Sequence, residues 1–221
     1  MSLSAAVAGA LLGAALACTS PAVLRRLTAL EPAVQAQYRA LAGNRRARPS
    51  RLVVSGLICG LLAARLGWSP ELPVWVLLGA VGTLLTEIDW RTQQLPAALV
   101  NPTLLTTAAL IAGTSTATSD WTGMVHAVAG WAAGAALFGL AWLASPRSLG
   151  YGDVRLGALL GTALGWVSAA AAIGALFLAL VLAAAVGLSL RAAGRLQSDG
   201  LIPLGPFLVA GAIASVLLQP T

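Results

Sequence analysis

The chain has 221 residues, 58% of them hydrophobic and only 9% charged, with a mean hydropathy of +0.87. So few charges cannot cover the surface of a soluble domain of this length, and a spanning chain must satisfy its backbone inside helices. A polytopic, all-α membrane helix bundle is therefore expected, forming a single membrane domain over residues 1–221. The formal charge of +6 comes from thirteen basic residues, all of them Arg. In a membrane chain Arg mainly sets topology. No nucleic-acid-binding motif is present, and no nucleic-acid partner is expected.

Apolar runs broken by Pro, Gly and charge predict about eight spans in chain order, roughly 3–20, 52–68, 73–89, 95–113, 122–144, 154–167, 168–190 and 201–218. In the first, Cys18 follows Ala15-Leu16-Ala17, a loose likeness to a lipoprotein cleavage site. Arg25 and Arg26 follow the run and no basic residue precedes it, the reverse of a cleaved signal, so a retained helix is expected. The loop 21–51 carries seven Arg and is short, with a helix expected around 32–41. Between 154 and 190 the run is too long for one crossing, and a turn is expected between Gly165 and Ser168. Neither Cys18 nor Cys59 belongs to a C-x-x-C pair, so no metal site or disulfide framework is expected.

The positive-inside rule places the loop 21–51 in the cytoplasm and the N-terminus outside. Alternation then brings Arg91, Arg147, Arg155, Arg191 and Arg195 to the cytoplasmic side as well, and leaves Arg65 outside. Asp89 ends the third span and Asp153 opens the sixth. Two complete spans separate them, so both fall on the cytoplasmic boundary.

An ionisable group at membrane depth costs about 2.5 kcal/mol or more and marks a functional site by default. Two carboxylates sharing a site hold one proton between them. The ionised member takes a proton from water while the protonated one bonds to a scissile carbonyl, which is aspartic proteolysis without metal or cofactor. In Gly150-Tyr151-Gly152-Asp153, the two glycines are expected to unwind the backbone ahead of the sixth span. Leu95-Pro96 restarts the fourth span, with Pro near its first turn. Glu87 lies about 200° around a helix from Asp89, and is expected either to line a groove or to pair with an Arg. His126 and the seven Trp are expected to be structural, most of the latter as an aromatic belt.

At these residues the chain resembles the bacterial prepilin peptidases, aspartic membrane proteases of the GxGD class. Asp89 with Leu95 and Pro96 matches the first family motif. Gly150-Tyr151-Gly152-Asp153-Val154-Arg155-Leu156 matches the second, with Arg155 where the family has Lys. Ile202-Pro203-Leu204-Gly205-Pro206-Phe207 matches a third, near the C-terminus. The resemblance implies a peptidase core over 73–218, with Asp89 and Asp153 as the catalytic dyad. Gly150, Gly152, Arg155, Leu95, Pro96, Pro203, Gly205 and Pro206 would be supporting motif residues.

Substrates would be prepilin or pseudopilin-like precursors, cut at the cytoplasmic face of the bacterial plasma membrane, within the lipid bilayer and with no cofactor. Bifunctional members carry a larger loop with paired C-x-x-C motifs after the first span. The short Arg-rich loop here has neither, so methyltransferase activity is not expected. An ion-coupled transporter and a non-catalytic secretion or pilus scaffold are the alternatives. The first is opposed by both acids lying at one face, the second by both being intact.

Overall fold

Each of the eight apolar runs is a helix in the computed structural model, which describes residues 2–29, 31–146, 149–194 and 202–219. Arg147 and Arg195, used in the topology expectation, and Leu201 lie outside the described residues. In order the helices are α1 Leu3–Cys18, α2 Ser20–Arg26, α3 Pro32–Gly43, α4 Arg48–Leu66, α5 Leu72–Thr92, α6 Ala97–Thr118, α7 Trp121–Ala144, α8 Tyr151–Val167, α9 Ala169–Ala192 and α10 Gly205–Leu217. Polar caps and prolines set their starts. Ser2 Oγ accepts from the Ala5 N–H at 3.3 Å, and Asp120 Oδ1 accepts from the Gly123 N–H at 3.2 Å. Pro32, Pro49, Pro73 and Pro206 occupy first-turn positions, where a missing N–H costs nothing. The break expected near Gly165–Ser168 falls at Ser168, whose extended backbone and hydroxyl begin α9.

Among the described residues, six helical segments are long and apolar enough to cross a membrane: Leu3–Arg26, which joins α1 and α2, then α4, α5, α6, α7 and α9. The other two expected spans are the shorter helices α8, of 17 residues, and α10, of 13. At about 1.5 Å per residue these fall short of a hydrocarbon core of roughly 30 Å. They lie among other helices: ten residues of α8 and eight of α10 are buried. The outer helices turn large apolar side chains outward, among them Leu105, Val125 and Ile173. That suits lipid, which leaves no hydrophobic drive between helices and puts the weight on close backbone packing.

Small residues provide that packing. On α7 and α8, Gly130 and Gly161 face each other so closely that a Cβ on either would lie 2.1–2.3 Å from the other's carbonyl oxygen. Helix α1 lays Gly9 and Gly13 against Ser55, Cys59 and Ala63 of α4, and α10 sets Gly211 on Ala175 and Ala179 of α9.

Helix α3 is different in kind. It is amphipathic, with Val34, Tyr38 and Leu41 buried in a cluster with Leu24, Leu27, Leu84 and Ile88. Gln35 ties down the approach to it by accepting from the Ala29 N–H at 2.7 Å and donating to the Leu27 carbonyl at 3.0 Å. The helix expected around 32–41 is thus present, docked on the last turns of α5.

Candidate active site

Helix α5 ends where Gln93 takes a left-handed backbone, φ 51°, and returns its N–H to the Asp89 carbonyl at 2.8 Å. Asp89 therefore occupies the final turn of α5, and its side chain is only 3% exposed. Its carboxylate is held from outside α5: Oδ2 accepts the backbone N–H of Gly205 at 3.0 Å. Gly205 is the first residue of α10, so a helix start, with its free N–H groups and positive dipole end, points at the acid. A Cβ at Gly205 would stand 2.6 Å from that same oxygen. Only glycine permits the approach.

Asp153 sits in the first turn of α8 and is half-buried. Its Oδ2 reaches back to accept the Gly150 N–H at 3.1 Å, while its own N–H donates to the Gly150 carbonyl at 3.0 Å. The expected unwinding ahead of α8 is corrected here. Gly150 is the extended residue preceding the helix, but Tyr151 and Gly152 are already helical. The reason for Gly152 is proximity rather than flexibility: a Cβ there would lie 2.7 Å from Leu95 Cβ and 3.3 Å from the Leu95 N and carbonyl O. Leu95 of one motif thus rests on Gly152 of the other, and this contact brings the two acidic helix ends together.

Asp89 and Asp153 line one cavity of about 200 Å³ with Gln93, Gln94, Leu95, Gly150, Tyr151 and Gly152. The Asp153 carboxylate is near enough for its charge to reach Asp89. Each has one oxygen anchored by a backbone N–H, in a recess whose floor is helix ends. Among the described residues no group of three or more His, Cys, Asp or Glu converges as a metal site would require. Such an arrangement is suited to holding and moving a proton between two acids and a bound water.

Other motif residues serve as framing. Pro96 precedes the first residue of α6, and Pro206 is the second residue of α10. Pro203 lies in the non-helical lead-in to α10. Arg155 places its guanidinium 4.7 Å from the Tyr151 ring centre, and Tyr151 meets Trp142 edge-on at 5.3 Å. Arg155 is not part of the cavity wall. Glu87 takes the second of its two expected roles and pairs with Arg51. His126 is an exposed residue of α7. Sequence reasoning missed Gln93 and Gln94, whose only signal was their place between the Asp and Leu-Pro elements of the first motif.

The helices and the paired acids define a polytopic membrane protein with a carboxylate-lined recess at one end of its bundle. Residues 76–188 match the type IV leader peptidase family, which takes in both acids and just over half of the chain, and the chain belongs to that family. Two curated relatives, from Burkholderia pseudomallei strains 1026b and K96243, are each described as a prepilin leader peptidase/N-methyltransferase. Each is 33% identical over 136 residues, covering 60% of this chain and 42% of the relative. The chain thus aligns with less than half the length of those relatives. No solved structure matches it.

Proposed function

We propose that this protein is an aspartic endopeptidase that removes the leader of prepilin or pseudopilin-like precursors, with Asp89 and Asp153 as its reacting pair. The observation that carries this is their shared cavity, with one oxygen of each acid held by a backbone N–H. One proton lies between the pair. The ionised carboxylate draws a proton from water as the water adds to the scissile carbonyl, and the protonated carboxyl donates to the carbonyl oxygen. Collapse of the tetrahedral intermediate expels the amine, which takes the proton first removed from water.

The distribution of Arg supports a cytoplasmic location for the cavity in a bacterial inner membrane. Arg25, Arg26, Arg39, Arg45, Arg46, Arg48 and Arg51 precede α4 or lie in its first turn, and Arg91 is in the last turn of α5. The Arg51–Glu87 contact joins those two helix ends. A precursor with a basic leader and an apolar helix would present its junction there.

We further propose that the chain cleaves without methylating. N-methylation needs a region that encloses a methyl donor. Here the segment between α1 and α4 is occupied by α2 and α3, whose apolar residues are spent on each other and on α5, and about thirty residues are too few for a core of their own. Mass spectrometry of a pilin-like precursor incubated with the full chain in lipid tests both points. The product should lack its leader and carry an unmodified amine; a gain of one methyl group overturns the second proposal. Asp89→Asn and Asp153→Asn should each lower cleavage by about 10²–10⁴-fold at equal membrane insertion, and the double variant should be little worse than either. Activity within about tenfold of the parent in either single variant overturns the paired-acid mechanism.

A further inference from the structure

Arg51 joins three helices beside the helix end that carries Asp89. It lies in the first turn of α4 and is 9% exposed. Its Nε and Nη2 donate to the two oxygens of Glu87 at 2.5 and 2.9 Å, and Nη2 also donates to the Leu41 carbonyl at 2.8 Å. Leu41 is in the last turn of α3, where its carbonyl also takes the Asn44 N–H at 3.4 Å. One guanidinium therefore ties the end of α3 to α5. A second tie lies alongside, since the buried Tyr38 of α3 packs in one apolar cluster with Leu84 and Ile88 of α5. Glu87 and Ile88 directly precede Asp89 in sequence. The other side of the same turn is held by α10, through the Gly205 N–H and an edge-on contact of Trp90 with Phe207.

We propose that Arg51 and Glu87 are positioning residues for Asp89, forming a latch that fixes the last turn of α5 against the cytosolic segment. This rests on the reading of Asp89 and Asp153 as the reacting pair. Neither latch residue lines their cavity, so both act through Asp89. The physical need is plain: a terminal helical turn frays readily, and a misplacement of about 1 Å at a reacting group costs roughly 10²-fold in rate. A buried ion pair is a poor way merely to hold helices together, because apolar residues of similar volume do that as well or better. What the guanidinium adds is direction, through a two-pronged bond to Glu87 and a third to Leu41.

The test uses the purified full chain in lipid with a pilin-like precursor. Glu87→Gln should lower kcat by about tenfold or more with KM within about twofold, because substrate contacts are untouched. Arg51→Lys keeps the charge but not the fork, and should fall between parent and Glu87→Gln. The double variant Arg51→Met/Glu87→Leu restores packing without direction, so its melting temperature should return to the parental value while kcat stays low. Recovery of both would show that the pair only packs, and an unchanged kcat in Glu87→Gln would equally overturn the proposal. Full activity in Asp89→Asn would instead sink the paired-acid reading, so the two failures are distinguishable.

Discussion

At the residue scale, the arrangement around Asp89 depends on the absence of one methyl group. Gly205 brings its N–H to 3.0 Å from the Asp89 carboxylate, and a Cβ would be 2.6 Å from Oδ2 and 3.2 Å from Cγ. Gly205→Ala should push the carboxylate off its donor, at a cost of about 1–3 kcal/mol for the buried acceptor left unpaired. Cleavage should fall by about tenfold or more even where the protein still inserts and folds. Gly43→Ala is the matched control, because nothing lies within 4 Å of its Cβ, and it should leave both rate and melting temperature near the parent. Paired cleavage assays and thermal melts decide the matter. At Arg155 the departure from the family's Lys has a local reading: its cation stacks on Tyr151, which a Lys ammonium also does.

At the element scale, α8 carries Asp153 and is held by α7 through facing glycines. The spacing of Gly157, Gly161 and Gly165 on α8 is visible in the sequence as a four-residue repeat. Its partner is not, because Gly-rich stretches also occur in α1, α4 and α10. Gly161→Leu would force a side chain into a gap where even a Cβ meets the Gly130 carbonyl oxygen at 2.3 Å. The helices must part, at a cost of about 3 kcal/mol or more. The expected result is a melting temperature lowered by several degrees in detergent, with activity lost as α8 shifts. Gly113→Leu on α6, with open space around its Cβ, should be tolerated. Equal melting temperatures for the two variants would show that α7 and α8 do not pack as described.

At the scale of the whole molecule, the two ends of the bundle differ. One end carries the Arg51–Glu87 pair, the Asp89–Gly205 contact and the cavity. The other has Arg65 donating to the Gln219 carbonyl, and Trp68 donating to Ser4 at 3.2 Å. With Cys18 and Cys59 replaced by alanine, a cysteine at Gly43 should resist a membrane-impermeant thiol reagent applied to intact cells, and one at Thr116 should react. Both positions are exposed, so burial does not decide the outcome. Labelling of the first and protection of the second would invert the orientation and place the recess on the outer face.

The helices themselves, the break at Ser168 and the helix near 32–41 were legible from the linear chain, as was the placing of Asp89 and Asp153 at the ends of two apolar runs. These follow from local properties: apolar run length, proline and cap positions, and the cost of placing a carboxylate at membrane depth. The span count was legible only approximately, because α8 and α10 are as apolar as the six longer helices but shorter, and length in a packed interior is set by neighbours. What only the tertiary structure decided is who touches whom. Asp89 meets the N–H of a residue 116 positions away, Leu95 rests on Gly152, and Glu87 pairs with Arg51, 36 positions away. A contact of that kind requires two surfaces to fit at once, and neither segment carries the shape of the other.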